Sequence, residues 1–152
     1  MQGFQFICLL LLPAASVALE ALLHPGSATL TALVGKWFVF FGVGVRLFMA
    51  GVTQTFRPQF TAESIFDLKG PGALAIVREV GFANLAMGTL GLLSLIKAQW
   101  VVPAAIVGGL YYGLAGPGHL LRPNRNFKEQ TALVSDLAMF LLLAAIVASR
   151  VL

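Results

Sequence analysis

The stretch AIVREVGFANLAMGTLGLLSLI, residues 75–96, is apolar enough and long enough to cross a lipid bilayer, yet it carries Arg78, Glu79 and Asn84. A spanning helix needs roughly 20 mostly apolar residues. Four further segments meet that length: Phe4 to Leu23, Ala32 to Val52, Trp100 to Leu121 and Leu133 to Val151. Their apolar runs are continuous, without the alternation of a barrel strand, so helices are the spanning form. The reading is an all-α integral membrane bundle of five, or four, transmembrane helices forming a single domain over residues 1–152. Residues that are 59% hydrophobic and only 11% charged leave no soluble balance and no room for a separate soluble domain.

The first segment has a second reading. FICLLLLP followed by AASVALE carries the apolar core and small-residue site of a cleaved signal peptide, but no Lys or Arg precedes it, which favours a retained helix. The single cysteine, Cys8, permits neither an internal disulfide nor a cysteine metal site. A net charge of +4 points to topology rather than nucleic acid, because the basic residues are scattered at helix ends. With five spans, Arg57, Lys69, Arg122, Arg125 and Lys128 share the N-terminal side, against Lys36, Lys97 and Arg150. That excess places the N-terminus in the cytoplasm and the protein in a cell membrane, the cytoplasmic membrane in a prokaryote. Between the second and third spans, TQTFRPQFTAESIFDLKGPGA reads as a short interfacial helix capped by Thr61 and ended by Gly70-Pro71-Gly72. The fourth connection, RPNRNFKEQT, reads as a basic surface loop.

Helix alternation fixes the relative depth of the polar residues. Arg46 lies seven residues before Thr53 and Glu79 five after Leu74, so at 1.5 Å per residue both are roughly 8 to 10 Å from one membrane face. Arg78, Asn84, Asp136 and His119 belong to the same half, whereas Glu20, His24, Lys36 and Lys97 belong to the other. An unpaired charge at mid-bilayer costs at least about 2.5 to 3.5 kcal/mol, so the two arginines and two carboxylates are expected to face inward and neutralise one another. The pairings Arg46 with Glu79 and Arg78 with Asp136 satisfy that count and are exchangeable. A purely structural pinning of helices accounts for the same residues. Arg78 is also near enough to the interface to snorkel.

Small residues supply packing faces. Gly81, Asn84, Gly88 and Gly91 fall within about 80° of one another on a helical wheel. Ala105, Gly109 and Gly113 follow a small-xxx-small pattern, and Gly35 and Gly42 repeat at seven residues. In YYGLAGPGHLLRPNRN, residues 111–126, Pro117 is expected to break the helix and free carbonyls near Tyr112 and His119.

Phosphate loops, dinucleotide fingerprints, HExxH, CxxC and GxSxG patterns do not occur, so the sequence offers no catalytic residues and no metal site, and the reading leans away from an enzyme. Ser135, Asp136 and His119 contain the residue types of a hydrolase triad, but adjacent helical residues point about 100° apart.

The runs GKWFVFFGVGVRLFMAG, FTAESIF, VREVGFANLAMGTLGLLS, YYGLAGPGHLLR and RNFKEQTALVSDL resemble a family of small uncharacterised prokaryotic membrane proteins of unknown function. That resemblance spans the chain from about Gly35 onward and implies a multi-pass bundle without naming a chemistry. In helix number and glycine usage the chain is also similar, more weakly, to DoxX-like four-helix membrane proteins, some associated with quinone-linked oxidation.

Three functions suit these residues. The leading one is a binding or accessory protein whose polar pocket, built from Arg46, Arg78, Glu79, Asn84, Tyr112, His119 and Asp136, takes a lipid-like or quinone-like molecule. The second is a redox or proton-handling subunit that uses a quinone, with Glu79, His119 and Asp136 as relay groups. The third is a small transporter or channel, which the Leu, Ala and Gly in the opposite halves of the third and fifth helices disfavour. Expected partners are membrane lipid and a second copy or another membrane protein, with no nucleic acid.

Overall fold

The computed structural model describes residues 7–121 and 127–151. Among these, every regular element is helical. The shorter apolar helix α1 (Ile7–Leu23) is followed by α2 (Leu30–Phe56) and the short α3 (Pro58–Ser64). Then come α4 (Pro71–Leu93), α5 (Val101–Leu120), entered through a 3-10 turn at Ala98–Trp100, and α6 (Phe127–Val151). Four of them, α2, α4, α5 with its entry turn, and α6, are long and apolar enough to cross a membrane, while α1 is shorter. Among the described residues the chain is therefore a helical membrane bundle with four helices fit to span and an additional apolar helix. Of the first expected span, Phe4 to Gln5 to Phe6 lies outside the described residues.

Local chemistry explains the boundaries. The Thr29 hydroxyl accepts the Ala32 amide at 3.3 Å, which satisfies one of the donors left open at the start of α2. Proline, which has no amide to satisfy, occupies the first turn of both α3 (Pro58) and α4 (Pro71). Gly70, just before α4, has φ +101°, a backbone that side-chain-bearing residues rarely adopt. Two expectations are corrected here. Thr61 does not cap α3 but lies buried within it, because Pro58 starts the helix earlier. Likewise Gly70-Pro71-Gly72 does not end the short helix but opens α4. The fourth connection is shorter than expected, since α6 already begins at Phe127; Arg122, Asn124 and Arg125 lie outside the described residues.

The bundle is made of two close pairs, α2 on α4 and α5 on α6, with α1 laid along the first half of α2. Val39, Val43 and Leu47 of α2 meet Ala104, Ala105 and Tyr112 of α5 and Met139 and Leu143 of α6 in the shared core. Lipid tails are as apolar as these side chains, so close van der Waals fit rather than water exclusion holds such helices together. That fit is tightest between α2 and α4: a Cβ at Gly91 would stand on the Gly44 backbone, and one at Gly88 on the Phe48 backbone. Gly81 faces Thr55 in the same way, and Gly113 of α5 lies under the Phe140 ring. Gly109 has ordinary room, with a built Cβ 3.5 Å from Leu143.

At the end of the bundle away from Arg46, the Lys36 ammonium donates to both Glu20 oxygens at 2.8 Å, and the Trp37 indole donates to Glu20 at 2.6 Å. These contacts tie α1 to α2. The cluster is partly exposed, so Glu20→Gln is expected to lower stability by less than about 1 kcal/mol, read as a small drop in thermal midpoint in detergent. A loss several times larger would mean that α1 docking depends on this contact.

α5 does not break at Pro117. It continues as α-helix to Leu120, with Pro117 exposed in its last turns, where one missing amide bond has few successors to disrupt. Irregular backbone lies instead at the start of α1, where Ile7–Leu11 are π-helical, and within α2, where Phe40–Val45 are.

Candidate functional site

The π-helical segment FFGVGV creates the site's inner wall. Gly and Val are poor helix formers, so this part of α2 gives up little by departing from α-geometry. At its end the Arg46 amide reaches back five residues to the Phe41 carbonyl and also to Val43, bypassing Gly42. The Gly42 carbonyl thereby becomes available, and the Tyr112 hydroxyl of α5 donates to it at 2.6 Å. Tyr112, only 1% exposed, is thus fixed by a backbone irregularity in a different helix.

Arg46 is the first residue beyond that irregularity. Its Nη2 donates to Asp136 Oδ1 at 2.6 Å and to Ser135 Oγ at 3.0 Å, while its guanidinium carbon lies 4.7 Å from the centre of the Tyr112 ring. A planar, forked cation suits this combination, because it bonds in its plane and stacks through its face. Both charged side chains are nearly enclosed, at 10% and 7% exposure. The expected pairings are therefore corrected: Arg46 takes Asp136, not Glu79, and Arg78 does not meet Asp136.

A second group continues from Asp136 toward the start of α6. His119 Nε2 lies 3.9 Å from Asp136 Oδ2, and its Nδ1 lies 3.4 Å from Glu129 Oε1. The Phe66 ring stacks on the imidazole at 6.0 Å. Glu129, read from sequence as part of a loop, is a buried residue of α6. Across the bundle the Asn84 amide donates to Gln54 Oε1 at 2.7 Å, joining α4 to α2.

These side chains enclose a partly open cavity of about 340 Å³, lined by Arg46, Gln54, Asn84, Tyr111, Tyr112, His119 and Asp136 and roofed by α3 through Phe60 and Thr61. Two of its wall residues carry polar atoms without a hydrogen-bond partner among the described residues: Nη1 of Arg46 and Oδ1 of Asn84. Such orphaned groups are uncommon in packed interiors, and each costs on the order of 1–3 kcal/mol when left unmade. Among the described residues there is no group of three or more His, Cys, Asp or Glu placed to hold a metal ion.

Of the residues singled out from the sequence, Arg46, Asn84, Tyr112, His119 and Asp136 meet around this cavity. Arg78 and Glu79 do not; both lie exposed on the outer side of α4. Gln54, Phe66 and Glu129 were not singled out, and Ser135 was weighed only as a residue type of a hydrolase triad. Two had a readable signal: Gln54 follows Arg46 by eight residues and Glu129 precedes Asp136 by seven, spacings that return a helix to the same face. Ser135 lies beside Asp136 in sequence, and Arg46 bonds both because its fork lies between their directions. Phe66 arrives through the turn after α3 and had no such signal.

Fold and cavity together define a small polytopic helical membrane protein with a partly open, polar-lined cavity in one end of the bundle. The chain belongs to the family of unknown function DUF6790, whose model matches residues 3–151. No curated protein and no solved structure matches it, so the weak likeness to DoxX-like proteins gains no support.

Proposed function

We propose that this protein binds a lipid-like or quinone-like amphiphile, holding its head in the cavity around Arg46 and Asn84. The observation that carries this reading is the pair of unpartnered polar atoms on side chains that line the cavity. Buried polar groups in membrane helices face protein or a site, and here the pairing of Arg46 with Asp136 uses only part of the guanidinium. Both atoms are shielded by neighbouring side chains, so a head group meets them when a wall side chain turns. A volume of about 340 Å³ is at the small end for ligand pockets and fits a head group rather than a whole lipid. The reading is of a binding or accessory protein of the cytoplasmic membrane, with the connections that carry Arg57, Lys69 and Lys128 on the cytoplasmic side.

Ala50 lines the same cavity, and Ala50→Phe fills it without touching the ion pair. Adding total membrane lipid to delipidated wild-type protein is expected to raise its stability by about 2.7 kcal/mol when ligand stands at a hundred times Kd. Ala50→Phe is expected to lose that gain. Equal stabilisation of both proteins by the extract would overturn the reading.

The run from Glu129 through His119 to Asp136 supports a second reading, in which the protein passes protons between the membrane surface and a bound quinone. It predicts that His119→Gln slows quinone-dependent proton uptake in vesicles while leaving lipid stabilisation intact.

A further inference from the structure

A second cavity, of about 410 Å³, adjoins the first and shares with it Gln54, Thr61, Phe66, Tyr111, His119 and Asp136. Its remaining wall is different in kind: Leu68, Ile76, Val77 and Val80 on one side, Ala115 and Gly118 on the other. Apart from Leu68, which lies in the connection before α4, these residues lie on α4 and α5, which pack chiefly on other helices and leave the seam between them thinly filled. Ile76 and Val80 are exposed at the outer edge, where acyl chains would lie. The polar chamber thus leads through an apolar cleft to the flank of the bundle.

From this arrangement, and resting on the proposed binding function, we infer that the two cavities hold one single-chain amphiphile. Its uncharged, hydroxyl-bearing head sits in the chamber, and its chain leaves between α4 and α5. The chemistry of the head follows from the walls. Among the described residues Arg46 and Asp136 form a charged pair lining the chamber, and each already neutralises the other at 2.6 Å. An anionic head would stand beside the Asp136 carboxylate without an uncommitted cation to offset it, and a cationic head would stand beside the guanidinium. Arg46 Nη1 asks for an acceptor, such as an ester carbonyl. The free end of the Asn84 amide is served by a hydroxyl in either orientation of that amide, because a hydroxyl both donates and accepts. A quinone head, with acceptors alone, serves Arg46 but not the Asn84 oxygen. The narrow side of the cleft, where Ala115 and Gly118 carry little or no side chain, admits one chain past Ile76 and Val80.

The test uses the full chain in phosphatidylcholine nanodiscs and an 18-carbon monoacylglycerol bearing a mid-chain diazirine. Photolabelling is expected on the segment 76–80 or 115–118, and to fall at least fivefold in Val80→Trp, which plugs the cleft from its exposed rim. Unlabelled monoacylglycerol in tenfold excess is expected to suppress labelling at least fivefold, and the fatty acid of the same chain, ionised, to suppress it less than twofold. Labelling confined to the outer face of α5, at Leu110 and Leu114, overturns the chain route. Equal or better suppression by the fatty acid overturns the uncharged head. Asn84→Ala separates the two levels of the argument. Cleft labelling that survives it unchanged removes the chamber reading and with it the proposed function. If instead monoacylglycerol still raises the thermal midpoint in an Asn84-dependent way while the cleft is unlabelled, the chamber stands and the chain route falls.

Discussion

Asp136→Leu alone is expected to lower stability by about 3–5 kcal/mol, whereas Arg46→Met combined with Asp136→Leu recovers most of that loss. The asymmetry follows from burial. With Asp136 gone, the Arg46 guanidinium keeps its charge at a nearly buried position, with the Ser135 hydroxyl and the Tyr112 ring still beside it but no carboxylate to neutralise it. With both gone, two apolar side chains of similar length fill the space and no charge is stranded. Unfolding of the two single variants and the double variant in one detergent, combined as a double-mutant cycle, measures the coupling directly. Additive losses would mean that the pair is not the enclosed contact described above. The double variant also separates roles: a fold restored to near wild-type stability that fails to respond to lipid places Arg46 in binding as well as in packing.

Gly91→Val is expected to cost about 3 kcal/mol or more, because the new side chain would have to displace the Gly44 backbone of α2. Backbone cannot swing aside as a side chain does, so α2 and α4 must separate along much of their shared length. Gly109→Ala is the contrasting substitution. Its Cβ would lie at an ordinary 3.5 Å from Leu143, and the change removes the helical penalty of glycine, so it is expected to be neutral or stabilising by up to about 1 kcal/mol. Thermal unfolding of the two variants side by side checks both statements. Similar losses in the two would show that α4 and α5 use their glycines alike.

The membrane class and the spans were legible because hydropathy is additive along a chain: long apolar runs announce themselves wherever they are folded. Asn84, Arg46 and Asp136 were legible for a related reason, since polar groups deep in such runs have few tolerable directions. The partner of each was not. Glu79 and Asp136 reach similar depth, and depth along the helix axis carries no information on which way a side chain points around it. α4 turns its glycine face to α2, which leaves Arg78 and Glu79 outside; their place follows from Gly81, Gly88 and Gly91, read as a packing face but not carried through to its consequence for the opposite side. Pro117 misled because a proline is disruptive in proportion to the helix that must follow it, and little does. The π-helical segment had only a faint trace, glycine alternating with valine, in a composition rich in both.

That segment sets the gearing of α2. One residue more than an α-helix would use rotates all that follows by about 100° relative to all that precedes. The half before it packs chiefly on α1 and also reaches α5 and α6, while the half after it packs chiefly on α4 and still sends Arg46 to α6, through a single continuous rod. Rewinding Phe40–Val45 as regular α-helix with every residue kept would give a better hydrogen-bond ladder, yet it would swing Arg46 out of phase with Asp136.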